Sequence, residues 1–225
     1  MSNRTGGHER AMKELPTQKR ALLKRLALIE AAVDEFSSVG FEAATAKSIA
    51  AKANVATGTF YQYFENKSDI LCVIAKMRHD ELRERLDWSP IQSVDDIVNK
   101  TSSQDNANSH IDNQQIIETL FKQSLSFIYQ FHKSNTKIHQ VLERRRDLDE
   151  QLKVIMDKGD EVLYERTLHL VKSFNIENPD VITQNVFAMS EGIIHRHIFH
   201  NSKLDTDLVI SVGAKMLAKF FVKQF

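Results

Sequence analysis

The chain has 225 residues, with 30 Lys or Arg balanced by 30 Asp or Glu and nine His, so its formal charge is zero, which argues against bulk coating of nucleic acid by charge. Only seven Gly and three Pro interrupt a composition that is 42% hydrophobic, which favours an all-α fold with a true core over a turn-rich sheet. A bilayer-spanning run of about 18 apolar residues is missing, and the start MSNRTGGHER lacks the apolar centre of a secretion signal, so a cytoplasmic protein is expected. The single cysteine, Cys72, has no internal partner and sits in the apolar run Ile70 to Ile74, where it reads as a small buried hydrophobe.

Residues 1–16 read as a disordered basic arm; over residues 1–26, seven Lys or Arg stand against two Glu, a net +5 that suits phosphate contact. A first helix is predicted from Thr17 to Val39, with Leu22, Leu26, Ile29, Ala32 or Val33 and Phe36 at three- and four-residue steps and Gly40 ending it. Thr45 can cap a second helix over about Ala46 to Ala53, whose Ile49, Ala50 and Ala53 form a small apolar face. Asn54 stands at the turn, where a positive φ is needed, and Val55 plugs the corner. A third helix runs from about Thr57 to Phe64, with Phe60 and Phe64 inward and Thr57, Thr59, Tyr61, Gln62 and Tyr63 outward. Two short helices around a tight turn, over 45–64, are the layout of a helix-turn-helix, and the outward hydroxyls and amide suit phosphates and base edges.

A fourth helix is predicted from Asn66 or Ser68 to about Leu86, broken by Trp88-Ser89-Pro90, and a polar loop follows over 99–113. Further helices are expected over Gln114–Lys133, Thr136–Met156, Asp160–Phe174, Pro179–His200 and Thr206–Lys223, the fourth of these opened by an Asn178 cap and the last by Asp205 or Thr206. His195, His197 and His200 invite a metal reading, but at about 100° per residue the three cannot converge, so no metal site is expected. No Ser-His-Asp set, phosphate-binding glycine loop or Cys-His metal spacing is evident, so no enzyme and no cofactor is expected. A helical small-molecule carrier or hydrolase stands as the weaker alternative.

Across about Leu22 to Leu82, the residues Ala31, Ala32, Phe36, Gly40-Phe41, Thr45, Ile49-Ala50, Val55, Gly58-Thr59, Tyr61, Phe64, Asn66-Lys67 and Leu71 stand in an order that resembles the TetR family of bacterial transcriptional regulators. The resemblance implies a three-helix DNA-binding domain over 17–82, then a helical effector-binding and dimerisation domain over 83–225. It implies DNA contact by Thr45, Lys47, Ala56, Thr57, Gly58, Thr59, Tyr61, Gln62 and Tyr63, with Lys67 gripping phosphate from the start of helix four. Its further implications are a homodimer, a double-stranded palindromic DNA operator, no membrane, and repression relieved by a small-molecule effector, with an activator or a non-specific structural DNA binder as alternatives. The usual capping serine and basic residue of the turn are Ala56 and Thr57 here, so the cap is expected to shift to Thr57. With no Lys or Arg on the third helix, bidentate guanine reading is unavailable there, and A·T-rich half-sites read through Gln62 and the threonines are expected.

The pattern offers Phe121, Leu125, Ile128, Tyr129, Met156, Phe187 and Met189, with His132 or His169, as an apolar pocket or as plain core. Val186, Ile193 and His197 on one helix and Leu208, Val212, Met216 and Phe220 on the next form stripes that suit a dimer interface, with Gly192 and Gly213 at close crossings.

Overall fold

The computed structural model describes residues 18–86, 113–174, 176–200 and 202–221. The basic arm over 1–16, the Trp88-Ser89-Pro90 break, the polar loop as far as residue 112 and the end of the last helix beyond 221 lie outside them. Nine α-helices are present among the described residues, without a strand: α1 (Lys19–Ala43), α2 (Ala46–Lys52), α3 (Thr57–Tyr63), α4 (Lys67–Arg85), α5 (Asn113–Ser134), α6 (Thr136–Arg146), α7 (Glu150–Ser173), α8 (Pro179–Phe199) and α9 (Thr206–Ala218), closed by a 3-10 turn, Lys219–Phe221. The fold is all-α, as the composition predicts. No helix among the described residues is long and apolar enough to cross a membrane.

The chain divides into two compact units, one made of Met1–Asp80 and Lys137–Gly159, the other of Glu81–Thr136 and Asp160–Phe225. The core of the first unit gathers Leu28, Ala32 and Phe36 of α1, Ile49 and Ala50 of α2, Phe60 and Phe64, Ile70 to Ala75 of α4, and Ile138, Leu142, Leu152 and Met156. Sequence patterning sets 17–82 apart from everything that follows, whereas packing adds a second segment, α6 and the first half of α7, to these helices. Leu22 and Leu26, placed on the buried stripe of helix one by their spacing, are exposed; the buried stripe begins at Leu28.

Local chemistry accounts for the ends. Gly40 interrupts α1 with φ 83° and ψ 165°, a region open essentially to glycine alone, so the helix proper stops there and one further turn ends at Ala43. Asn66 Oδ1 accepts from the amides of Ser68 and Asp69 at 2.8 and 3.0 Å and starts α4. Asp205 Oδ1 accepts from Leu208 N at 2.9 Å and starts α9. Asn178 occupies the cap position of α8 in the left-handed region (φ 56°) without a side-chain cap bond, so Pro179 in the first turn sets that end rather than an Asn cap.

One predicted break is displaced. The expected pause around residues 157–159 is continuous helix, and the chain turns at 147–149 instead, where Asp149 Oδ1 accepts from Leu152 N at 3.1 Å to open α7. Gly159 therefore lies inside a helix, and its missing side chain admits the His79 imidazole of α4, which a Cβ would overlap.

The core of the second unit joins Ile117, Leu125 and Tyr129 of α5, Val171 of α7, Val186 and Ile194 of α8, Ile210, Ala214, Leu217 and Ala218 of α9, and Phe221. Gly213 is the close crossing: a Cβ there would meet Ile193 Cδ1 at 2.9 Å, so α8 and α9 approach through this residue. Gly192, expected to do the same, faces open space.

Candidate nucleic-acid interface

The helix-turn-helix is built from three local decisions. Thr45 caps α2 in a capping box: its Oγ1 accepts from Ser48 N at 3.0 Å while Ser48 Oγ accepts from Thr45 N at 3.0 Å, a serine filling the place usually held by Glu or Gln. At the far end of α2, Asn54 N donates to Ala51 O at 3.1 Å and Val55 N to Ala50 O at 3.0 Å, with Asn54 at φ 53°. This is a Schellman closure with Asn in the left-handed position, and Val55, packed on the core, supplies its apolar contact. The corner thus follows from Asn54-Val55, as their residue types predict.

The third decision concerns α3. Its N-cap is Ala56, which makes no side-chain cap bond, and Thr57 is already in the helix; the cap does not shift to Thr57. Packing, not capping, holds α3 in place. Phe60 and Phe64 are fully buried, 5.6 Å apart between ring centroids, and the Arg25 guanidinium of α1 lies 5.3 Å over the Phe64 ring. Burial lowers the pKa of Arg25, opposed by the carboxylate of Asp69.

With those two rings inward, the opposite face is fixed. Thr45, Lys47, Ala56, Gly58, Tyr61 and Gln62 are exposed and Thr57 and Thr59 partly so. Nothing lies within 4 Å of a Cβ built on Gly58, which leaves an open approach at the start of α3. Tyr63, expected to point outward, packs its ring in part against the core. The exposed face carries hydroxyls, one carboxamide and a phenol, and no cation on α3 itself.

Lys67 differs most from its expected place. Its Nζ donates to three main-chain carbonyls, Phe41 O at 2.8 Å, Glu42 O at 3.0 Å and Ala44 O at 3.2 Å, and stands 4.6 Å over the Phe41 ring. All three ammonium protons thus serve the carbonyls left open where α1 ends. Arg145 of α6 joins this corner, 4.5 Å from the Phe41 ring centre and 2.9 Å from Glu42 Oε1. Sequence reading gave Arg144 to Arg146 no part in this corner, and its long-range contact could not be inferred from helix periodicity.

The residues offered as a pocket do not all meet. Phe121, Leu125, Ile128, Tyr129 and Met189 belong to the core of the second unit, and Phe187 packs on Tyr164 with 5.6 Å between centroids. Met156 belongs to the core of the first unit, and His169 is exposed, so neither stands in that apolar cluster. His132 is buried and meets His195 edge to face, 5.1 Å between centroids.

Of the stripe residues, Val186 is core, and His197 is buried with Nδ1 3.1 Å from Tyr129 Oη and Nε2 2.9 Å from Leu204 O; both side chains are committed within the chain, Ile193 only partly so. On α9 the stripe is open, with Leu208 59%, Val212 47%, Met216 50% and Phe220 36% exposed, a row at four-residue steps on one side.

Residues 28–72 match the family described as bacterial regulatory proteins, tetR family. A fatty acid metabolism regulator protein of Bacillus subtilis (strain 168) is 38% identical over 64 residues, 28% of this chain and 33% of that protein, so the match takes in a third of the relative's length. Among solved structures, a Mesorhizobium loti MAFF303099 protein shares the fold at a TM-score of 0.68 with 15% identity, over 91% of this chain and 98% of its own. The transcriptional regulator FadR from Bacillus subtilis, solved in complex with stearoyl-CoA, does so at 0.60 with 18% identity, over 86% of this chain and 97% of its own. The capped α2, the Asn54 corner and the Phe-anchored α3 all lie inside the segment that matches the tetR family of bacterial regulatory proteins.

Proposed function

We propose that the protein is a transcriptional regulator that binds a palindromic DNA operator as a homodimer and leaves it when a small molecule enters its helical second domain. The observation that carries this reading is the exposed α3 face of Thr57, Gly58, Thr59, Tyr61 and Gln62, held out by the buried Phe60 and Phe64. In this reading residues 17–82 contact DNA and residues 83–225 bind the effector and the second copy. Thr45, Lys47 and Ala56 flank the groove, Tyr61 reaches phosphate, and Gln62 with the threonines reads adenine and thymine. Lys67 acts from behind, holding the end of α1.

Dimerisation through the open α9 stripe, Leu208, Val212, Met216 and Phe220, with Ile193 of α8 beside it, supplies the second recognition helix. Two copies of α3 must fall on successive major-groove faces about 34–36 Å apart, which makes the operator a palindrome. In this reading an effector with a long apolar part enters by displacing packing in the α5–α8 cluster of Phe121, Leu125, Ile128, Tyr129 and Met189, and the stearoyl-CoA complex of the Bacillus subtilis neighbour supports that class. The identity shared with the fatty acid metabolism regulator is confined to 64 residues, a length close to that of the DNA-contacting region. Release follows if effector and DNA favour different arrangements of the helices, and the coupling is reciprocal.

Selection of duplexes from a random pool by the full chain tests the proposal. An inverted repeat with A·T-rich half-sites, and loss of its binding in the presence of stearoyl-CoA, is expected. Failure to enrich any sequence would overturn the regulator reading, a repeat made only of G·C pairs would overturn the readout by Gln62, and DNA binding indifferent to stearoyl-CoA would overturn the effector class.

A further inference from the structure

Arg145 of α6 stands 103 positions from Glu42 in the chain and outside the matched segment 28–72, yet both residues lie in the first unit. Its Nη1 donates to Glu42 Oε1 at 2.9 Å. Its guanidinium carbon is 4.5 Å from the centre of the Phe41 ring, which Lys67 Nζ also approaches, to 4.6 Å. The Arg145 side chain is 20% exposed, whereas that of Glu42 is 79% exposed. Arg145 Nε is buried and has no hydrogen-bond partner among the described residues.

Stability alone accounts poorly for this arrangement. An ion pair whose acid is so exposed contributes little to folding, and a buried donor left without an acceptor is a cost. What the pair does fix is charge at a particular place. Glu42 is the acid nearest in sequence to Thr45, the capping residue at the start of α2, and the three residues of chain between them span at most about 10–11 Å. That is about one Debye length at 0.1 M salt, so a bare carboxylate at this position repels a phosphate held at Thr45. Lys67 is turned to the main-chain carbonyls of Phe41, Glu42 and Ala44, which leaves Arg145 as the cation on the Glu42 side chain.

We propose that Arg145 is a positioning residue for DNA binding, which acts through Glu42 by holding and neutralising its carboxylate so that the start of α2 accepts a phosphate. A residue outside the matched helices thus contributes to DNA affinity without touching DNA. The proposal rests on the reading of Thr45 and the α3 face as DNA contacts. Its signature is a charge balance confined to one pair. The wild-type pair sums to zero, Arg145→Gln leaves one negative charge beside Thr45, and a second change, Glu42→Gln, brings the sum back to zero.

Affinity of the full chain for a random-sequence duplex at about 0.05 M salt, where surface charge is weakly screened, tests it. Arg145→Gln is expected to weaken binding about three- to tenfold, and Arg145→Lys, which keeps the charge, to bind as the wild type does. Adding Glu42→Gln to Arg145→Gln is expected to return the wild-type affinity, whereas adding Glu177→Gln, at an exposed acid of the second unit, is not. Should Arg145→Gln fail to fold, Arg145→Met takes its place with the same outcomes expected. A double variant as weak as Arg145→Gln, the result of a purely structural role or of direct phosphate contact, overturns the proposal. Restoration by Glu177→Gln does so too, because net charge alone would then account for the loss. Equal binding by the wild type and Arg145→Gln overturns the role of Arg145 alone, whereas a wild type that binds no duplex overturns the DNA reading with it.

Discussion

Replacing Lys67 with Met separates a strut for the end of α1 from a phosphate grip. The ammonium makes three hydrogen bonds at 2.8, 3.0 and 3.2 Å, two of them partly buried and one exposed. Shielded bonds to a charged group contribute about 1.5–3 kcal/mol and ordinary ones about 1, so the low end gives about 4 kcal/mol gross. Freeing the long side chain returns about 2 kcal/mol of rotamer entropy, which leaves a net loss of about 2 kcal/mol. For a chain of this length that lowers the melting temperature by about 4–8 °C. The assay pairs thermal unfolding with the salt dependence of DNA binding by the folded variant at low temperature. A strut predicts the lower melting temperature and an unchanged slope of log K against log salt. A phosphate grip predicts a slope shallower by about 0.9 for each phosphate that is no longer neutralised, about 1.8 for a dimer. Wild-type stability together with the shallower slope would refute the reasoning.

Ala56→Ser supplies the missing cap of α3, and a gain of about 0.5–2 kcal/mol in urea unfolding is expected; no gain would mean that the α3 terminus is satisfied in some other way. Gly40→Ala has space for its methyl but not the backbone, so a loss of about 1–3 kcal/mol is expected, and an unchanged midpoint would contradict the left-handed geometry at that residue. Val212→Glu combined with Met216→Glu places two charges on the open α9 stripe. Sedimentation is expected to show the 25.8 kDa monomer for this variant and twice that mass for the wild type, and a dimer that survives both charges would place the interface elsewhere.

Residues whose effect is local could be read from the sequence. Thr45 caps, Asn54 turns, Gly40 interrupts, and Asn66 and Asp205 open helices, each because a side chain or its absence acts within four residues of itself, while the spacing of Phe60 and Phe64 gives the inward face of α3. Long-range partners could not. Lys67 reaches back more than twenty residues to the end of α1, Arg145 about a hundred to Glu42, and His132 meets His195 across two helices. Periodicity also marks a stripe without saying which side of the fold covers it. Leu22 and Leu26 share a helix with Phe36 yet stay exposed, while Val186 and His197, which look like interface by spacing, are buried within the chain. The misplaced break near Gly159 has a similar origin, because a glycine that admits His79 looks the same in sequence as one that ends a helix.

The most direct test of the central claim is the ratio of affinities for the selected palindrome and for a scrambled duplex at one fixed salt concentration, measured on the full chain and on Gln62→Ala. If the outward face of α3 reads bases, the wild-type ratio is about 1,000 or more, and it falls about 10- to 100-fold in the variant while binding to the scrambled duplex stays the same. A wild-type ratio near one, or a ratio that Gln62→Ala leaves unchanged, would contradict it.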